Sequence, residues 1–472
     1  MASPSTTAHT MLDKDKAHDI FERVKKFSTA DDVEVLIAGG RSALTRFANN
    51  TIHQNVAEEN YIISVRSVMG QRTARATTNK FDDASLKRVV EAAESITRVQ
   101  HPDTELPAMA TAAEVGDGSH APNRFFEETA AITPEDRAEG VREIVAVATK
   151  HKLTTAGIFS TSETVEAIFN SRGVARFHTQ TSSEISITML AGNSSGWQKA
   201  NYPDVQKLDP FLLAETAAKK ALTSRDPQEL APGKYTVILE PAAVLDLVGF
   251  MFWDFGGLAI LDQRSFLTNR VGEKIFGENI NIFDDVAHPL QSGSPFDGEG
   301  VHRQRVQLVD RGVARQLVYS RGTSEKMRKS EHAAKVGEIL PTGHGFPLPN
   351  EMGEAPMNIV VEDASESEPK TVEQMVAGTE RGVLVTRLWY IREVDPYEKI
   401  LTGMTRDGTF YVEGGKLRHG VLNFRFNESL LHMLSNVEQM GEPVRASGEE
   451  SFDMVVPAMK VKDFNFTEVT KF

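Results

Sequence analysis

The sequence predicts an α+β chain in two parts, and three observations carry that prediction. Extended runs outnumber helical ones, the helices are segregated, and no regular strand–helix–strand alternation marks a parallel sheet. The length, 472 residues, suffices for two or three domains with an ample core. Hydrophobic residues at 40% and charged ones at 25% are the composition of a folded globular chain.

In order along the chain, a helix is expected over about 15–27, then extended stretches at 33–38, 43–47 and 61–68, the latter pair separated by polar residues. Met69-Gly70-Gln71 reads as a hairpin tip, with 72–77 as the returning strand. Asp82 or Asp83 caps a helix whose Leu86, Val89, Val90, Ala93 and Ile96 share one face. The same order recurs later. Strands at 164–170 and 175–181 flank a Ser171-Arg172-Gly173 turn, 184–190 follows, and a helix runs from Asp209 to about Leu222. Ile63-Ser64-Val65 echoes Ile185-Ser186-Ile187, which a duplication and a chance match explain equally well.

Between these units, 100–132 is rich in Pro, Gly, Ala and acid without periodicity, a linker or surface excursion. Thr133-Pro134-Glu135-Asp136 then opens a helix, with a capping threonine, proline in the first turn and acids at the positive end. A second boundary at 227–233 divides the chain into an N-terminal part, 1–230, and a strand-rich C-terminal part, 231–472. Beyond it, 235–239 is a β-branched strand and 242–255 a buried helix. From 258 to 425 extended runs alternate with glycine turns at Arg311-Gly312, Glu380-Arg381-Gly382, Arg406-Asp407-Gly408 and Glu413-Gly414-Gly415. Asn427 caps a late helix with Leu430, Leu434 and Val437 in a stripe, closed by Gly441.

Composition excludes several chemistries. There is no cysteine, hence no disulfide, thiolate metal site or thiol nucleophile. A formal charge of −14 argues against binding nucleic acid by phosphate neutralisation. Asp13, Lys14 and Asp15 break the only short apolar stretch near the start, and the longest apolar run, 242–253, carries Asp246 and falls short of the about 20 residues a membrane span needs. A soluble, cytoplasmic protein is expected. No histidine is followed by glutamate and no two lie at metal-binding spacing, the nearest pair being His9 and His18, which leaves His332 and His344 as ligands only if folding joins them. Asp284 and Asp285, with Asp297 and Glu299, offer oxygen ligands for a hard cation or form an ordinary acidic loop. Gly192-Asn193-Ser194-Ser195-Gly196 matches the serine-hydrolase elbow in letters, but the polar, proline-ended 197–203 behind it is no helix start, so it reads as a hairpin turn. No phosphate-cradling glycine motif occurs.

Five segments together resemble the TldD/PmbA (TldE) family in order over about 30–470. They are Ala43-Leu44-Thr45-Arg46-Phe47-Ala48-Asn49-Asn50; Leu-Ala-Pro-Gly-Lys-Tyr-Thr-Val-Ile-Leu at 230–239; Pro295-Phe296-Asp297-Gly298-Glu299-Gly300-Val301; Asp310-Arg311-Gly312-Val313; and Val456-Pro457-Ala458-Met459-Lys460-Val461-Lys462-Asp463-Phe464. The resemblance implies a two-domain α+β architecture and a two-subunit, zinc-dependent cytosolic protease acting on peptides; some family members are described as modulators of DNA gyrase. The family's metal subunit carries HExxxH on a helix after the junction and a cysteine near the C-terminus. Here Leu247, Val248 and Phe252 fall at the histidine and glutamate positions, and no cysteine exists. The resemblance is therefore to the metal-free, PmbA/TldE-like subunit, with no catalytic or metal residue and no cofactor of its own, zinc residing on a HExxxH-bearing TldD-like partner. Such a chain contributes peptide cavity and partner interface, gripping an extended peptide by strand addition, with the strand-rich half the expected place for an open edge. The alternative is a stand-alone homodimeric peptide- or protein-binding regulatory module, gyrase-modulator-like, without a hydrolytic role. Asp297, Glu299 and Arg311 are the cavity candidates, although tight turns and strand ends also account for them. Phe250, Met251, Phe252 and Trp253 are the interface candidates, with burial in the chain's own core as the other reading.

Overall fold

The computed structural model describes residues 11–116, 122–365 and 367–470; the first ten residues, with His9, lie outside them. The N-terminal half opens with α1 (Lys14–Phe27), followed by β1 (Asp32–Ala48), β2 (Thr51–Met69), β3 (Arg72–Thr78) and α2 (Asp83–Val99). After a short α3 (Glu127–Ala130) the order repeats: α4 (Pro134–Lys150), β4 (Thr154–Asn170), β5 (Ala175–Leu190), β6 (Ser195–Tyr202) and α5 (Pro210–Thr223). The six strands form one sheet in the order β3-β2-β1-β4-β5-β6.

Register makes the repeat a structural one. Val35 pairs with Val65, and Gly157 with Ile187; Ile63 pairs with Thr78, and Ile185 with Ala200. Each second pair lies 122 positions after the first. At the centre β1 and β4 run antiparallel with Arg41 opposite Glu163, again 122 apart, so a pseudo-two-fold axis passes between them. The echo of Ile63-Ser64-Val65 in Ile185-Ser186-Ile187 is thus a true equivalence. Odd-numbered residues of β1 (Val33, Val35, Ile37) face the helices, α1 and α2 over one end of the sheet and α4 and α5 over the other. The opposite face meets the C-terminal half, where Leu36 and Ile168 pack on Phe296 and Val301.

The strands are longer than the sequence suggests. β1 is continuous where two pieces were expected, and β2 begins ten residues early, because 51–60 is exposed on both faces and has no apolar alternation to announce it. In α2, Ile96 is 41% exposed and Thr97 takes the core place, its hydroxyl shared between Ala93 O and Ser67 Oγ. The Gly192–Gly196 motif is the β5–β6 turn, with Ser194 Oγ bonded to Ala191 O and Ala221 O.

The C-terminal half contains β7 (Gly233–Leu239), α6 (Pro241–Val248) continued as a 3₁₀ turn (Gly249–Phe255), α7 (Gly257–Leu261), β8 (Ile280–Asp284), β9 (Val306–Asp310), β10 (Val313–Ala314) and α8 (Arg321–Lys329). It goes on through β11 (Ile359–Asp363), α9 (Val372–Ala377), β12 (Arg381–Asp395), β13 (Ile400–Glu413), β14 (Lys416–Gly420), β15 (Phe424–Ser429) and α10 (Leu430–Ser435). The last strands are β16 (Val437–Met440), β17 (Val444–Ala446), β18 (Met454–Val456) and β19 (Met459–Val469). β12-β7-β19-β15-β13 closes on itself through a β12–β13 pairing, a five-stranded barrel, while β10-β9-β8-β11-β18-β17 forms a second sheet. Among the described residues the closed ring leaves no barrel edge, and a long open strand edge lies in the N-terminal half, along β2. Several expectations change here. Ser429, not Asn427, caps α10, which ends before Val437, itself in β16. Asp407-Gly408 falls inside β13 and Arg381-Gly382 opens β12, and three helices, α7, α8 and α9, interrupt the extended region.

Arginines join the halves through backbone oxygens. Arg124 Nη2 donates to Val286 O (3.1 Å) and His288 O (2.8 Å), Arg176 Nε to Gly300 O (3.0 Å), Arg445 Nε to Asn201 O (2.9 Å), and Arg75 to Leu348 O.

Candidate functional site

The helix after the junction is the element on which the family's metal motif would fall. Glu240 precedes Pro241 at the first helical position, and 243–248, apolar but for Asp246, is buried throughout. Leu247 and Val248 are fully buried and Phe252 is 1% exposed. The Phe252 ring lies 6.3 Å from those of Phe255 and Phe452, and a Cβ on Gly249 would stand 2.0 Å from Ser451 Oγ. These positions are close-packed and offer no nitrogen, oxygen or sulfur donor, so a zinc ion does not fit there. Among the described residues no three His, Cys, Asp or Glu side chains converge to hold a metal. His344 instead lies 3.0 Å from Asp284, both fully buried, and His332 sits on the turn after α8. Asp284 Oδ2 accepts from Met357 N and Asn358 N, while Asp285 accepts from Ala287 N, so the acidic residues act as separate backbone anchors.

At the end of the 3₁₀ turn a cleft of about 500 Å³ opens between Phe250, Trp253, Arg264, Lys399 and Phe452. Its floor is an ion triad. Lys399 Nζ stands 2.5 Å from Asp254 Oδ2 and 2.7 Å from Glu393 Oε2, and Phe266 N donates to Asp254 Oδ1. Burial pushes the Asp254 carboxyl up to about 6 against the pull of Lys399. The rim is aromatic. Trp253, 48% exposed, stacks on Phe346 at 5.7 Å, and Phe250 and Phe452 complete it. The lining residue Glu450 accepts from Tyr390 N and Ile391 N at a bulge of β12 outside the cleft, where Tyr390 is left-handed (φ 54°). Behind it, Asp246 accepts from Glu450 N (3.2 Å) and Leu388 N (3.4 Å), and burial pushes its carboxyl up to about 7. The charges of the triad satisfy one another. What the cleft presents outward is the aromatic surface of Phe250, Trp253 and Phe452 beside the Arg264 guanidinium and the Glu450 carboxylate.

Of the four expected interface residues, Met251 and Phe252 are core, Phe250 is half-buried, and Trp253 alone is well exposed; the apolar packing of α6 draws the first two inward. Asp297 and Glu299 come together at the seam between the halves. Asp297 Oδ1 accepts from Glu299 N and Val301 N, Oδ2 from Gly345 N, and Glu299 Oε1 from Arg321 N. Burial, and then the Asp297 charge, push Glu299 up to about 7. Arg311 does not join them. It is the left-handed residue (φ 48°) of the β9–β10 turn, its N–H bonded to Asn281 Oδ1. Lys399, Glu393 and Asp254 escaped the sequence reading, since residues far apart in the chain carry no local pattern. Asp246, the lone charge in an apolar run, was the one visible signal.

The duplicated sheet, the barrel and the cleft beside the junction helix define a class, the TldE-like fold. The structure of TldE from Thermococcus kodakarensis superposes with a TM-score of 0.82 at 19% identity, covering 96% of this chain and all of that one. Family models match along the sequence: PmbA/TldA metallopeptidase domain 1 at 33–97, the central domain at 127–225 and the C-terminal domain at 232–468. The chain belongs to the PmbA/TldD metallopeptidase family. It is similar to the metalloprotease PmbA of Escherichia coli O157:H7, 22% identical over 409 residues and 83% of each chain, and to the PmbA homolog of Haemophilus influenzae, 21% identical over 415 residues, 84% of this chain and 85% of that one.

Proposed function

We propose that this chain is the metal-free subunit of a two-subunit, zinc-dependent peptidase of its family. It pairs in the cytoplasm with a HExxxH-bearing subunit and supplies part of the wall that holds an extended peptide or unfolded chain. One observation carries the reading: Leu247, Val248 and Phe252 fill with hydrocarbon the positions where a hydrolytic member needs two imidazoles and a carboxylate. The peptide lies along the cleft, against the aromatic side chains of Phe250, Trp253 and Phe452, while hydrolysis occurs on the partner.

The test is zinc content and casein hydrolysis by the purified chain, alone and with a HExxxH-bearing relative. The chain alone is expected to carry no stoichiometric zinc and to cleave nothing, and the mixture to cleave. One equivalent of zinc with chelator-sensitive cleavage by the chain alone would overturn the reading.

A further inference from the structure

The two halves enclose a second cavity, of about 580 Å³, at the N-terminal end of α6, where Glu240 and Pro241 line it. The aromatic cleft opens beyond the other end of that helix, so the two spaces are distinct.

One wall is α5. Thr216, Lys219, Lys220 and Thr223 follow one another at helical spacing and face the cavity together, while Ala214, Ala217, Ala218 and Ala221 bury the opposite side of the helix in the N-terminal half. The floor belongs to the C-terminal half. Alternation along β12 sends Val383 and Val385 into the main core and Leu384 to the other side, where it joins Phe410 of β13 and Val376 of α9. These three line the cavity with hydrocarbon, and Leu417 of β14, 37% exposed, edges it.

The charges divide into satisfied and free. Lys220 is satisfied within the protein, its Nζ 2.6 Å from Glu240 Oε2 and 3.0 Å from Gln198 Oε1. Lys219 of α5 and Lys416 of β14, one from each half, are exposed at the mouth, and among the described residues neither ammonium has a partner. Glu373, the other lining carboxylate, is exposed and stands in no ion pair. With three lysines against two glutamates, the lining is cationic in a chain whose formal charge is −14.

We infer that this cavity binds an apolar monocarboxylate, the chemistry shared by a short fatty acid and by the C-terminal residue of an apolar peptide. Its hydrocarbon lies on Leu384, Phe410 and Val376, and its carboxylate meets the ammonium groups of Lys219 and Lys416. The volume is that of a site for a small organic molecule. A single net positive charge suits one carboxylate better than a phosphate dianion, and lysine, a flexible point charge, demands no bidentate geometry. Because the walls come from both halves, a bound acid ties α5 to the barrel. The site requires neither zinc nor a second subunit, so it stands apart from the peptidase reading.

Calorimetric titration of the full chain is the test, with octanoate and N-acetyl-leucyl-phenylalanine as probes, their amides as neutral controls and acetate as the acid without hydrocarbon. At least one probe acid is expected to bind and to raise the melting temperature, its amide binding about tenfold more weakly and acetate not at all. Whichever acid binds more tightly identifies the source. Lys219→Gln combined with Lys416→Gln should weaken that acid about tenfold and leave its amide unchanged. Both lysines are exposed, so the variant's circular dichroism should match the wild type. Failure of both acids to bind, an amide or acetate that binds as tightly as the acid, or a double variant with wild-type affinity would each overturn the proposal.

Discussion

Arg41 and Glu163 meet across the β1–β4 seam, Nη1 3.6 Å from Oε1, and each is the other's counterpart in the repeat. Burial raises the Glu163 carboxyl above its ordinary range, with Arg41 pulling it back. An ion pair therefore occupies the one place where the two units of the sheet must face each other as themselves.

Because Arg41 is partly exposed, the pair is worth little. A double-mutant cycle with Arg41→Ala and Glu163→Ala, read by urea denaturation, should return a coupling of about 0.5–1 kcal/mol that shrinks with salt. A coupling several times larger would mean the axis is held by this pair.

Gly40 is a stricter requirement. At φ 152° an added Cβ would come 1.9 Å from Glu163 O on the neighbouring strand. Gly40→Ala should cost about 3 kcal/mol or more, visible as a lowered melting temperature, because backbone cannot yield as a side chain does.

The pH dependence of stability should carry the mark of Asp246. Burial lifts its folded pKa to about 7, above the 3.8 of an ordinary aspartate, so its contribution is fully present below pH 3.8 and is lost as pH rises through 7. The slope reaches at most about 1.4 kcal/mol per pH unit within that window. Asp246→Asn should flatten it in denaturation curves between pH 4.5 and 7.5 (about the span of the titration).

Adjacent aromatic residues should separate cleanly. Phe252→Ala opens a cavity in the core and should cost about 3–5 kcal/mol. Trp253→Ala, at the cleft rim, should cost about 1 kcal/mol, chiefly its stacking on Phe346, and should weaken peptide binding in fluorescence titrations.

Two of the three cavity candidates, Asp297 and Arg311, should also part. Asp297→Ala strips three backbone N–H groups of their acceptor and should cost about 2–4 kcal/mol. Arg311→Gly, which relieves a left-handed backbone, should leave stability within about 0.5 kcal/mol of wild type or raise it.

Local chemistry was legible in the sequence wherever one segment settled its own conformation. Thr133 and Asp136 form the capping box their spacing predicts, Asp209 caps α5, and Gly70 and Gly173 turn the hairpins. The Thr371–Gln374 capping box was equally visible, yet α9 went unread among the strands around it. The wet half of β2 left no apolar trace, and barrel closure depends on β12 meeting β13 and β7, a matter of long-range pairing. The site divided in the same way. The hydrocarbon positions of α6 could be read directly, whereas the Asp254–Lys399–Glu393 triad exists only once residues nearly 150 apart are brought together.

The guanidinium contacts between the halves address main-chain oxygens of the 286–300 loops and Leu348. Every amino acid carries that oxygen, so side-chain identity at 286–289 can drift while Arg124 goes on reading the same path of backbone. Here replacement is tolerated and insertion is not: a single added residue in 286–289 would displace the acceptors from Arg124, whereas Asp297, further along, is held by its own side chain.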